Sequence, residues 1–299
     1  MQDLREASFL KPLDAVLNEA VSFLQGEPLM LMTTADLQSI LALGFLESAL
    51  LDRDISYSRR ILPPNSHLPP DEDGLIPEQN GSRILVVDPW DRFESSSEDV
   101  FVLSSKAIEV EFQQSPNKRR GRVDVVLQSS AVASSLAPNG RRTKRCRPYS
   151  GCGQWLMESL DTTIDPIHTM IRDFLRDEGT ILVSPLPEIE NPSLGMLPLA
   201  SSGRLRRLQN IWSEMDASSR SQALSEYCLP LLSSDGISTA RLEELVWKRM
   251  RIPNEATDLA STLYMNLKKW PSDADAAVLH AGKLLDEILK SGRLPPSTD

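Results

Sequence analysis

The chain has 299 residues, 40% of them hydrophobic and 25% charged, enough for one large domain or two ordinary ones with buried cores. Its apolar stretches break well short of the ~20 residues that a membrane span needs, and the start MQDLREASFLKPLDAVLNEA mixes acids with apolar residues, unlike a secretory leader. A net charge of -10 argues against a surface that grips nucleic acid everywhere; three cysteines, Cys146, Cys152 and Cys228, make no disulfide framework, so a reducing, cytoplasmic location without membrane is expected.

Leu13, Val16, Leu17, Ala20, Val21 and Leu24 recur at helical spacing, and Gly26 ends that helix as a C-cap would. Pro28 to Met32 is a short apolar run that reads as a buried strand. Thr33 and Thr34 follow, then a second helix from about Asp36 to Leu51, dense in apolar residues. Ile55 to Ile61 alternates and reads as a strand. Strand, helix, strand favours a parallel sheet.

Pro63 to Gly81, rich in Pro, Asp and Asn, is a loop. Ile84-Leu85-Val86-Val87 is the clearest strand signal and ends at Asp88-Pro89. Val100–Leu103, Ala107–Phe112 and Val123–Leu127 read as further strands, and Ser129–Leu136 as the start of a helix. Asn139 to Arg147 reads as a basic loop. Between Lys118 and Arg147 there are nine Lys/Arg and one acid, Asp124, so attraction to a phosphate backbone is local. Helices are expected near Gly153–Leu160, Pro166–Arg176, Gly203–Met215, Ser218–Leu231, Thr239–Arg249, Glu255–Trp270 and Ala274–Leu289, with a strand at Thr180–Pro185. The expected organisation is α/β: a parallel-sheet domain over residues 1–140, then a mainly helical region over 150–299 that serves as an interaction domain. Pro185–Leu199, with four prolines, is a second candidate boundary.

The order strand, TTADLQS, apolar helix, strand, loop, strand ending in Asp resembles the opening of the DHH phosphoesterase superfamily, over about residues 28–88. In that family a His-x-Asp-x-Asp-Gly turn follows the first strand, and a later apolar strand ends at another Asp. Aligned here, the His falls on Met32, the first Asp on Thr34, the second on Asp36 and the Gly on Leu37. Only Asp36 and Asp88 remain as metal-site remnants, and the Asp-His-His run is absent. Two-metal hydrolysis needs carboxylates and imidazoles holding cations ~3.5–4 Å apart. Methionine and threonine do not replace those donors for hard divalent cations. The resemblance therefore implies a pseudoenzyme with no catalytic residue, no metal and no cofactor.

The same loss marks the cell-division-cycle-45 branch of RecJ-like replication factors, which join the GINS complex and the MCM ring. By that resemblance the chain is expected to act as a scaffold or accessory factor in DNA replication or repair, with GINS or a replicative helicase as protein partners. DNA would be touched through basic loops carrying Lys118, Arg119, Arg120 and Arg122, and Arg141, Arg142, Lys144 and Arg145. No aromatics interleave with these cations to stack bases.

Other readings stay open. A divergent metal-dependent phosphoesterase or nuclease would make Asp88, Asp91, Asp161, Asp165 and His168 the residues to test. An unrelated α/β interaction protein would make the resemblance accidental. Asp36 also reads as a helix N-cap or first-turn acid, Asp88 as the end of a strand before a turn, and the basic runs as solvated loops. His67, His168 and His280 are isolated. Cys146 and Cys152 fit no zinc knuckle, and Ser150-Gly151-Cys152-Gly153 matches a nucleophile turn poorly. No Walker A or GxGxxG sequence occurs. Trp212, Trp247 and Trp270 read as core anchors on C-terminal helices.

Overall fold

The computed structural model describes residues 3–26, 28–69, 75–77, 81–94, 98–111, 118–156, 165–197, 202–233 and 237–295. The chain divides into two compact units, Met1–Gly153 with Trp270–Pro295, and Gln154–Lys269. The C-terminal segment Trp270–Pro295, expected within the helical region, belongs to the α/β unit. Pro185–Leu199 lies inside the second unit and divides nothing.

The first unit is α/β. Helix α1 (Asp14–Leu24) leads into β1 (Leu29–Thr34), α2 (Leu37–Asp52), β2 (Ser58–Leu62), β3 (Arg83–Asp88) and β4 (Val100–Ser104). These strands form one parallel sheet in the order β2-β1-β3-β4. A central parallel strand covered on both faces reads as a continuous apolar run, which explains Leu29-Met30-Leu31-Met32. β5 (Lys106–Glu111) and β6 (Lys118–Val123) form a separate antiparallel pair.

One face of the sheet carries Met32, Leu62, Ile84, Val86 and Val100, covered by Phe93, Leu68, Leu75 and Ile76 from the loops. Helices pack the other. α2 is buried on nearly every side, Ser39, Glu47 and Ser48 included, as expected of a helix apolar all round. It meets α3 (Val125–Leu136), whose Ala and Ser residues allow close approach, and α11 (Ala274–Ser291), the last helix of the chain. Gly44 makes the α11 contact: a Cβ there would lie 3.2 Å from Ile288 Cγ2. α11 ends at Gly292, whose φ of 72° suits glycine.

Three local expectations change. β2 begins only at Ser58, after a turn in which Asp54 takes a φ of 55°. Of Val123–Leu127 only Val123 is strand, as the last residue of β6: Asp124 accepts hydrogen bonds from Val126 N at 2.8 Å and Leu127 N at 3.0 Å, capping α3, so the chain turns helical where its valines suggest strand. Asn139–Arg147 is not a loop: α4 (Arg141–Cys146) forms there. The Asp52 carboxylate supplies its missing cap, accepting from Thr143 N at 2.9 Å, Thr143 Oγ1 at 3.1 Å and Arg142 N at 3.2 Å.

The second unit is mainly helical. A short helix α5 (Gly153–Leu156) begins at the division, followed by α6 (Pro166–Asp177), α7 (Ser202–Ile211), α8 (Ala217–Cys228), α9 (Thr239–Trp247) and α10 (Leu259–Lys268). Asp165, Asp216, Ser238 and Asp258 cap α6, α8, α9 and α10. β7 (Leu182–Ser184) pairs antiparallel with β8 (Arg249–Arg251). The expected helix Thr239–Arg249 thus stops early, and Arg249 lies in a strand. Trp212 is the buried anchor, its Nε1 donating to Ile189 O at 3.0 Å, whereas Trp247 is exposed. The last residues of the expected helix Gly153–Leu160, and Phe112 of the expected strand Ala107–Phe112, lie outside the described residues.

Candidate functional site

In the order β2-β1-β3-β4 the chain leaves β1 toward β2 on one side and resumes with β3 on the other. The carboxyl ends of β1 and β3 therefore flank a topological switch point, where open α/β sheets hold their ligands. Asp36, two residues beyond β1, and Asp88, the last residue of β3, both lie here.

Asp88 is 1% exposed. Its Oδ1 accepts from Trp90 N at 3.1 Å, and its Oδ2 from Arg92 N at 2.5 Å and Phe93 N at 2.7 Å. The carboxylate closes the turn after β3, in which Asp91 takes a φ of 57°. Burial raises its pKa, more than those three backbone donors lower it. Of the two readings of Asp88, strand-terminating turn describes what its oxygens do.

Asp36 is the N-cap residue of α2 by backbone conformation but makes no side-chain cap. Its Oδ2 instead accepts from Asn65 N at 3.1 Å and from the indole Nε1 of Trp90 at 3.3 Å. Arg92 completes the network, donating from Nε to Asn65 Oδ1 at 2.9 Å and from Nη1 to Pro69 O at 2.5 Å. Asn65, Trp90 and Arg92 were not legible as site residues. The signals that point to them are PPNSH after β2 and Asp-Pro-Trp after β3.

Met32, Thr33 and Thr34 are engaged by the fold. Met32 belongs to the apolar cluster beneath the sheet. Thr33 Oγ1 donates to Val87 O at 2.9 Å, and Thr34 Oγ1 pairs with Ser39 Oγ at 3.0 Å. His67 is less isolated than its sequence position suggests: it is exposed on the 3-10 turn Asn65–His67, whose first residue bonds Asp36. Its Nδ1 lies 3.1 Å from Ser66 Oγ. Among the described residues no three or more His, Cys, Asp or Glu side chains gather to hold a metal ion. Met32, Thr33 and Thr34 add no carboxylate or imidazole to Asp36 and Asp88.

The alternative set falls in both units. Asp88 and Asp91 are in the first unit, Asp165 and His168 in the second, and Asp161 lies outside the described residues. Asp165 caps α6 through Ile167 N. His168 is fully buried, its Nε2 3.3 Å from Glu244 Oε2, while Arg172 Nη1 pairs with Glu244 Oε1. Burial pushes the Glu244 carboxyl up, but His168 and Arg172 outweigh it and hold the pKa at about 2. Ser150 sits in a 3-10 helix with its Oγ 2.5 Å from Ser130 Oγ. Cys146, Cys152 and Cys228 are free and buried.

The basic segments are a strand and a helix, not loops. On β6, Lys118, Arg119 and Arg120 are exposed, with Lys118 paired across from Glu111 and Arg120 from Glu109; Arg122 is half-buried. On α4, Arg141 and Lys144 face solvent, Arg142 contacts Asp52, and Arg145 Nη1 donates to Lys290 O at 3.1 Å. Lys118, Arg119, Arg120, Arg141 and Lys144 are the exposed cations of the two segments.

No protein-family model matches the chain, and no curated protein is significantly similar to it. Among the described residues no helix is long and apolar enough to cross a membrane.

Proposed function

We propose that the chain is a catalytically inactive, RecJ-like protein with a degenerate DHH-type first domain. It acts as a scaffold or accessory factor in DNA replication or repair, docking protein partners such as GINS or a replicative helicase. One observation carries this reading: at the switch point, both oxygens of Asp88 and one of Asp36 are engaged by the fold's own N–H groups, and Met32, Thr33 and Thr34 are tied into the sheet. A carboxylate that closes a turn through three backbone donors is a structural element rather than a cation ligand. The exposed cations of β6 and α4 supply local attraction for a DNA backbone. The three buried thiols suit a reducing, cytoplasmic setting.

The test is a nuclease assay on single-stranded DNA and RNA with Mn²⁺. Cleavage stays at background in wild type and in Asp36→Ala alike. Robust cleavage by wild type that Asp36→Ala abolishes would overturn the reading.

A further inference from the structure

We propose that the outer edge of β2, with the groove at its head, receives an extended acidic segment of a partner protein, which adds to the sheet as a fifth strand. The inference deepens the scaffold reading by naming a class of partner.

Topology supplies the template. β2 pairs with β1 alone, so among the described residues the outward N–H and C=O groups of Ser58–Leu62 have no strand beside them. Such a row is a ready surface for strand addition, in which main-chain bonds give affinity and side-chain pockets give selectivity. The opposite edge strand, β4, is buried over most of its length, whereas Ser58 and Arg60 of β2 are exposed.

A pocket lies where that template begins. Leu51, Asp54, Ile55, Ser56, Tyr57 and Arg59 line an open groove. Its wall is held from beneath: Glu47, fully buried one turn before Leu51 on α2, accepts from Tyr57 OH at 2.7 Å and Arg59 Nη2 at 2.6 Å, and Arg59 Nη1 bonds Asp286 of α11 at 2.7 Å. A wall fixed in this way needs no ordering when a side chain enters. Leu51, Ile55 and Tyr57 suit an apolar residue, and Asp54 discourages an acid in the groove itself.

Charge selects the occupant. Arg59 is already neutralised by Glu47 and Asp286. Arg60, at the midpoint of the strand, is exposed and forms no ion pair among the described residues. A second copy pairing antiparallel about that midpoint would set Arg60 against Arg60, which is unfavourable. A carboxylate opposite Arg60 is favourable, so the partner strand places an acid there and an apolar side chain in the groove.

The experiment measures fluorescence anisotropy with the full chain and a labelled eight-residue peptide alternating valine and glutamate. The controls are a valine–lysine peptide and the acidic peptide N-methylated at alternate residues. The acidic peptide is expected to bind at least ~10-fold tighter than the lysine peptide, a discrimination of about 1.4 kcal/mol. N-methylation abolishes binding, and Arg60→Glu reverses the charge preference while leaving the circular dichroism spectrum unchanged. The proposal is overturned by no binding, by equal affinity for both peptides, by binding that survives N-methylation, by a preference for the acidic peptide that survives Arg60→Glu, or by self-association of the chain through β2. The cleavage assay tests the scaffold reading separately, so the two fail independently.

Discussion

Trp90 donates its indole N–H to Asp36 Oδ2 at 3.3 Å, joining the turn after β3 to the turn after β1 across the switch point. Trp90 is 48% exposed, so this bond is made in contact with water. Trp90→Phe is expected to change stability by no more than about 0.5 kcal/mol and to create no hydrolytic activity. Trp212→Ala, which empties a fully enclosed site, is expected to cost about 3–5 kcal/mol. Urea denaturation of both variants checks the contrast.

Asp88 behaves as a turn-closing group. Asp88→Ala leaves the N–H groups of Trp90, Arg92 and Phe93 without their acceptor, a loss on the order of 3 kcal/mol. Asp88→Asn keeps one carbonyl acceptor and loses less. Hydrogen exchange is expected to report the difference at those three amides, with faster exchange in the alanine variant. Equal protection in all three proteins would show that the turn does not depend on the carboxylate.

Asp52 does the same for α4 from a distance in sequence. Its carboxylate caps a helix that begins with Gly140-Arg141 and has no side-chain cap of its own. Asp52→Ala is expected to cost about 1–2 kcal/mol and to speed exchange at Arg142 and Thr143. Asp52→Asn, which retains a carbonyl oxygen, is expected to recover part of the loss.

The two buried glutamates titrate in opposite senses. Burial raises the Glu47 pKa above its ordinary 4.5, more than Arg59 and Tyr57 lower it. Its contribution to stability is complete below pH 4.5 and is lost as pH rises through the raised value. Glu244, held at about 2, contributes above 4.5, and that contribution is lost as pH falls toward 2. Thermal melts across pH are expected to show Glu47→Gln gaining on wild type as pH rises. The deficit of Glu244→Gln shrinks as pH falls below 4.5. Profiles parallel to wild type would contradict both assignments.

For DNA, the exposed cations of β6 and α4 decide. Arg119→Glu with Arg120→Glu is expected to weaken binding uniformly across sequences and to lower the slope of log affinity against log salt by roughly 1–2. Arg145→Ala, which removes a side chain already bonded to Lys290 O, is expected to leave that slope nearly unchanged. Filter binding at several salt concentrations measures both.

The parallel sheet was legible because β1 and β3 are apolar runs and β1-α2-β2 alternates strand with helix. The capped helices of the second unit were legible from their spacing, though α10 starts at Leu259, four residues after the expected Glu255, with Asp258 as its cap. Long-range partners were hidden. Nothing local says that Asp52 caps α4, that Glu111 and Glu109 sit opposite Lys118 and Arg120, or that α11 returns to pack on α2. At the candidate site Asp36 and Asp88 were readable from their places after strands. Asn65, Trp90 and Arg92 were not, because their bonds depend on how two loops meet.

The most direct measurement is a calorimetric titration of the full chain with Mn²⁺. If the carboxylates of the switch point serve the turn and the loops, no saturable heat is observed, and Asp36→Ala titrates like wild type. Two cations bound per chain, with affinity lost in Asp36→Ala and Asp88→Asn, would contradict the account.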